Sequence, residues 1–181
     1  FGAVKKGLSA YPEFTPGGTA ANTASALARL SVPCAFLGKA GNDYFGKEMK
    51  TALQKDGADV THFTLDSALS STLILVVLDE ENEPYPFLMP RKDPAHLYLY
   101  RQDLPESLLD DCDFVHTTGL MLFENPAAEA VCSFLELCKK KGVPVSLDIN
   151  LRVETQKMDT TYLRRALNCT TYLFGSAREE L

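Results

Sequence analysis

Apolar and polar positions along this chain switch between two spacings, a helical one of about 3.6 residues and a strand-like one of about 2. From residue 18 onward the two take turns, which predicts a parallel sheet covered by helices. The first helix is expected over 19–30, where Ala20, Ala21, Ala24, Ala26 and Ala28 permit close approach to a sheet. Residues 34–37 read as a strand. Asn42 or Asp43 is placed to cap a second helix, in which Phe45, Met49 and Leu53 recur every fourth residue before Gly57 ends it. Residues 60–65 form the next strand. A third helix is expected to begin with Asn125 as N-cap and Pro126 in its first position, with Val131, Phe134, Leu135 and Cys138 on one face. Gly142 and Pro144 stop it. Apolar strands at 114–117 and 143–149 frame this helix as a parallel strand, helix, strand unit, and 160–167 followed by 171–174 repeats the order.

One stretch breaks the alternation. Residues 72–78 and 85–89 are successive strands around an acidic turn, Asp79 to Pro84, so a hairpin is inserted into an α/β chain. By composition alone it is a plain edge hairpin; a flap over a ligand is the functional alternative.

Composition narrows the classes of function. The chain has 181 residues, 45% of them hydrophobic, enough for one core, and a net charge of -6 that disfavours nucleic acid as partner. The only basic run, Lys139 to Lys141, sits where cations suit a helix C-terminus. Five cysteines, an odd number without CxxC spacing, point to a reduced, cytoplasmic setting. His62, His96 and His116 are too scattered for a zinc site. No signal peptide or membrane span is read, and a start at Phe1 rather than methionine suggests a chain that begins part-way through a gene product.

Three stretches can carry chemistry. Gly17-Gly18 precedes the first helix and lets the backbone approach a ligand; Asn22, in or near the first turn, can both donate to and accept from a sugar hydroxyl, or serve as a helix-start cap. The loop Gly38-Lys39-Ala40-Gly41-Asn42-Asp43 follows a strand and opens a helix, where Lys39 or Asp43 can meet a hydroxyl or phosphate. Asp148, Asn150 and Arg152 end the most apolar strand, and alternation puts them on one side if the chain stays extended. An arginine fork suits phosphate, and a strand-end surface pair suits the residues equally well. Neither GxxxxGK[ST] nor GxGxxG occurs, which removes a Walker A loop and the main support for a dinucleotide site.

Taken in order, these stretches resemble the PfkB family of carbohydrate kinases. Its first signature is followed by Gly17-Gly18, Asn22, Ala24, Ser31 and Gly41; Gly38-Lys39-x-Gly41-x-Asp43-x-x-Gly46 and Asp148-x-Asn150-x-Arg152 match two further stretches. The resemblance covers nearly the whole chain. It implies a ribokinase-like three-layer α/β sandwich with a mostly parallel sheet, and a small β-lid from segments near 5–16 and 72–89. It further implies phosphorylation of a sugar hydroxyl, on a fructose-like sugar or a 2-keto-3-deoxy sugar acid, with ATP and Mg2+ as cofactors. Gly17, Gly18, Asn22, Lys39, Asp43 and Arg91 would bind substrate; Asp148, Asn150 and Arg152 would bind phosphate.

Two departures follow from the same resemblance. The second signature, Gly-Ala-Gly-Asp, whose aspartate is the general base, is absent, and Gly57-Ala58-Asp59 ends a helix instead of opening one, so no catalytic residue is assigned. Ser176-Ala177-Arg178-Glu179 stands where many members carry Asn-x-x-Glu, which leaves Glu179 as the metal-side carboxylate. The first strand and the C-terminal ATP-binding part are expected to lie outside this sequence, so the chain alone is expected to be inactive. No nucleic acid or membrane partner is expected, and the resemblance leaves open a homodimer through the lid. The competing class is a non-catalytic sugar-binding or regulatory domain.

Overall fold

Among the described residues four of the five strand pairings are parallel, as the alternating pattern requires. The computed structural model describes residues 2–5, 15–78, 84–88, 92–150 and 160–176. The chain forms two compact units, Phe1–Ala95 and His96–Leu181.

In the first unit, strands β1 (Gly2–Lys5), β4 (Ile74–Leu78) and β5 (Pro84–Leu88) form one sheet, in which β1 runs parallel and β5 antiparallel to β4. The predicted hairpin is thus present. The lid segment expected near 5–16 falls, over residues 6–14, outside the described residues, as does the hairpin's connection at 79–83.

A second sheet pairs β2 (Gly38–Gly41) with β3 (Phe63–Asp66) in parallel. Both strands begin later than the expected 34–37 and 60–65, for a local reason. The Asp59 carboxylate accepts from the Thr61 amide and hydroxyl at 2.8 and 2.6 Å, folding 59–62 into a turn. The hydroxyl and the amide of Thr61 together hold the Asp59 carboxyl below its usual range. The turn costs one residue of register: an isolated bridge joins Ala35 to Asp59, and the ladder resumes as Gly38 with Phe63.

Helices α1 (Thr19–Arg29) and α2 (Tyr44–Asp56) contribute to this unit's core. Of the five alanines expected to face a sheet, Ala21 and Ala24 are buried; Ala40, Leu53, Ala58, Val60 and Phe63 complete the cluster. Both expected ends of α2 hold: Gly57 stops it in the left-handed region at φ 102°, and Asp43 caps its start, accepting from the Gly46 amide at 3.0 Å.

The second unit is built on a parallel sheet of β6 (Val115–Thr118), β7 (Val145–Asp148) and β8 (Tyr172–Phe174), with β7 central. Helix α3 (Ala127–Lys141) packs on β7, and its predicted face of Val131, Phe134, Leu135 and Cys138 is buried. Its start differs from expectation. Pro126 occupies the cap position and Asn125 makes no cap bond; its amide instead donates to the Tyr162 hydroxyl of α4 (Thr160–Leu167) at 2.7 Å. Gly142, at φ 76°, ends the helix as expected. The basic run does more than face the helix dipole: Lys139 donates to the Asn168 carbonyl at 2.7 Å, and Lys141 pairs with Asp110 at 2.7 Å. Arg165 clasps α4 to α3 by bonding both Glu129 and Glu136. All five cysteines are free thiols. Among the described residues no helix is long and apolar enough to cross a membrane.

Candidate functional site

In the first unit the candidate residues sit at the start of α1 and around β2. Gly18 is the N-cap residue of α1 at φ 121°, a conformation that side chains rarely adopt, and it brings no side chain to cap the helix. Asn22 uses its backbone amide to bond the Gly18 carbonyl at 2.8 Å while its side chain is exposed. The capping alternative for Asn22 is therefore not what the structure contains. A helix N-terminus is a dipole end that favours polar and anionic ligand atoms.

The other small positions of the first signature have packing reasons. Ala24 is 7% exposed within the core; Ser31 has φ 61° just past the end of α1; a Cβ on Gly41 would come within 2.6 Å of the Ser71 nitrogen and 2.7 Å of the Leu69 oxygen. Lys39 lies inside β2, paired with Thr64, not in a loop as its sequence neighbourhood suggests. Ala40 beside it shares the core cluster with Ala21 and Ala24, so β2 and the N-terminal half of α1 belong to one packed layer.

Asp43 is engaged by protein groups. One carboxylate oxygen accepts from the Gly46 amide at 3.0 Å and the Ser71 hydroxyl at 2.7 Å; the other accepts from the Ser71 amide at 3.0 Å. A carboxylate so filled builds the wall of the turn. Ser71 was invisible to sequence reading because its partner lies 28 residues away. Arg91 lies outside the described residues.

In the second unit the candidate residues close the end of β7. Asp148 faces Thr118 of β6 in the register, and Thr118 is 2% exposed. The condition for placing Asp148, Asn150 and Arg152 on one side fails. The strand ends at Asp148, and Asn150 has φ 43°, a left-handed turn that asparagine tolerates better than most residues. Arg152 and Glu179 lie outside the described residues.

Two residues at this strand end had escaped sequence reading. Gly119 follows β6 so closely that a Cβ on it would stand 2.0 Å from the Ile149 carbonyl oxygen. His116, one of the three histidines too scattered for a zinc site, bonds through Nδ1 to the Ser146 hydroxyl at 2.8 Å, two register pairs before Thr118 and Asp148. Burial pushes its pKa below the ordinary value, partly offset by the Asp148 charge. His96 is also pushed down by burial. For both, the unfolded chain takes up its proton at higher pH than the folded one, so their contribution is complete above the unfolded value and lost as pH falls. Thermal unfolding should therefore occur at lower temperature at about pH 5.5 than at about pH 7.5, and His116→Gln should flatten that dependence. A melting temperature equal at both pH values would contradict this.

Asp148 and Asn150 bring side-chain oxygens, the donor type that magnesium takes. Among the described residues no group of three His, Cys, Asp or Glu is arranged to hold an ion. Two such side chains would leave most of a bound ion's coordination to water or to a ligand.

Residues 3–181 match the model of the pfkB family carbohydrate kinases. A fructokinase of Salmonella typhimurium is 33% identical over 168 residues, covering 91% of this chain and 53% of the relative. An aminoimidazole riboside kinase of Salmonella typhimurium is 32% identical over 138 residues, covering 76% of this chain and 42% of the relative. The crystal structure of fructokinase from Vibrio cholerae O395 in fructose, ADP and calcium ion bound form superposes with a TM-score of 0.80 at 25% identity, covering 98% of this chain and 58% of that one. The chain spans about half the length of these relatives. The expected ribokinase-like α/β class stands, and the chain belongs to the pfkB family of carbohydrate kinases.

Proposed function

We propose that the protein containing this chain transfers the γ-phosphoryl group of ATP to a hydroxyl of a fructose-like sugar, and that this chain supplies mainly the sugar-binding half. The observation that carries the reading is the open start of α1: a Gly17-Gly18 turn without a side-chain cap and an exposed Asn22, in a layer shared with the strand that bears Lys39. Backbone amides and an amide side chain provide both donors and acceptors, as a polyhydroxylated ligand requires. Asp43 supports this wall from behind. Arg91 and the β4–β5 pair would close the sugar in from the other side.

Asp148 and Asn150, with Arg152, would meet the phosphates, and Glu179 would stand on the metal side. Magnesium, when bound, neutralises phosphate charge as it develops in the transition state. The chain's own residues would then orient the phosphates through Asn150 and Arg152, while Asp148 holds the water around the ion. The general base and the adenine site fall to sequence outside these residues, in line with relatives about twice as long. The setting would be the cytoplasm.

Asn22→Ala should weaken sugar binding by about 1 to 3 kcal/mol, the range for a lost buried hydrogen bond, and leave the KM for ATP unchanged. The full gene product with ATP and magnesium, offered fructose, a 2-keto-3-deoxy sugar acid and a riboside, tests the substrate class. The riboside is included because one relative is named for it. Turnover of the riboside alone would replace the sugar reading with a nucleoside one, and sugar binding without turnover would favour a regulatory domain.

A further inference from the structure

We infer that Asp43 and Ser71 form a positioning clamp, which pins the root of the β4–β5 hairpin to the turn between β2 and α2 and so fixes where the hairpin stands beside the sugar wall. The inference rests on the sugar-kinase reading above and goes beyond it. To cap α2, Asp43 needs only the Gly46 amide. It does more, taking both the amide and the hydroxyl of Ser71, a residue 6% exposed that lies just before the hairpin's first strand. The same hydroxyl accepts from the Gly41 amide at 3.1 Å.

The motif's glycines serve this contact. Side chains on Gly41 and Gly46 would come within 2.6 Å of the Ser71 nitrogen and 2.9 Å of its hydroxyl oxygen. Asn42 adds a second staple: its amide donates to the Asp66 carbonyl at 2.8 Å and its side chain to the Ser67 hydroxyl at 2.9 Å. On the opposite edge, the Ser70 amide donates to the Asp93 carbonyl at 3.0 Å, and the Ala95 amide to the Ser70 carbonyl at 2.8 Å. The segment entering the hairpin is thus bonded on one side to the site turn and on the other to the segment that leaves the hairpin. Both legs meet at Ser70 and Ser71.

Chemistry at the clamp sorts its variants. Asp43→Asn keeps the shape but turns an NH2 group toward donors of Ser71 or Gly46. Ser71→Ala removes the hydroxyl, and Ser71→Thr retains it. The test compares these variants of the full gene product by hydrogen exchange and by steady-state kinetics. In Ser71→Ala and Asp43→Asn, exchange of the β4 and β5 amides should rise about tenfold, as for one lost hydrogen bond, with α3 amides unchanged. The KM for sugar should rise about five- to tenfold with the KM for ATP unmoved, and Ser71→Thr should restore both. Hairpin exchange equal to wild type in folded Ser71→Ala overturns the clamp, as does an equal rise in α3, which would mean only general destabilisation. If the wild-type protein phosphorylates none of the sugars, the sugar-kinase reading fails, and hairpin exchange alone decides the clamp.

Discussion

Residues 1–181 expressed alone should hydrolyse or transfer no ATP phosphate to fructose above background, whereas the full gene product should do so readily. The reason lies in which groups the 181 residues contain. In the proposed reading Asp148 and Asn150 meet phosphate and neither serves as base, and the Gly-Ala-Gly-Asp motif, which by the family resemblance supplies the base and anion-hole amides, does not occur in these 181 residues. A general base contributes about 10²- to 10⁴-fold, and loss of the oxyanion donors costs roughly a further 10²-fold or more. The measurement is coupled release of ADP with each protein at equal concentration. Robust turnover by the 181 residues would mean that a base lies within them.

The second large effect is expected at Gly119. Its Cβ position lies 2.0 Å from the Ile149 carbonyl oxygen and 3.0 Å from the Ile149 carbonyl carbon, both backbone atoms that cannot swing aside as a flexible side chain does. Gly119→Ala must push β6 away from the end of β7. Overpacking of this kind costs typically about 1 to 3 kcal/mol and occasionally more, and the rigid backbone on both sides puts this site at the upper end. Denaturant unfolding should show a lower midpoint at unchanged slope. Because the displaced backbone leads directly into Asn150, the KM for ATP should suffer more than the KM for sugar. A variant as stable as wild type would show that the β6–β7 junction yields freely.

The competing view, a sugar-binding domain without phosphoryl transfer, shares the same α1 and β2 wall. What separates it is the strand end in the second unit. Asn150 in a left-handed turn and Thr118 buried opposite Asp148 make a preset polar edge. If that edge meets a nucleotide's phosphates, Asn150→Ala should weaken nucleotide binding, whereas a domain that only binds sugar through its first unit should show no such effect.

The sequence by itself determined the order of elements, because helix and strand signals are local. Val131, Phe134, Leu135 and Cys138 recur at helical spacing and are buried; Gly57 and Gly142 stop their helices in the left-handed region that glycine adopts at little cost. The Gly17-Gly18 turn and the Asp43 cap were legible for the same reason, since each acts within a few residues of itself. Tertiary structure alone decided the rest. The strand boundaries at 34–41 and 59–66 shifted because Asp59 prefers a turn with Thr61 to continued pairing. Asp43 found its second partner 28 residues away in Ser71, Asn125 left its cap for Tyr162, and Gly119 met the backbone of Ile149. Partners so distant leave no periodicity to read. They are chosen when the strands come into register, and only then does a polar residue either face a ligand or become part of the wall that holds it.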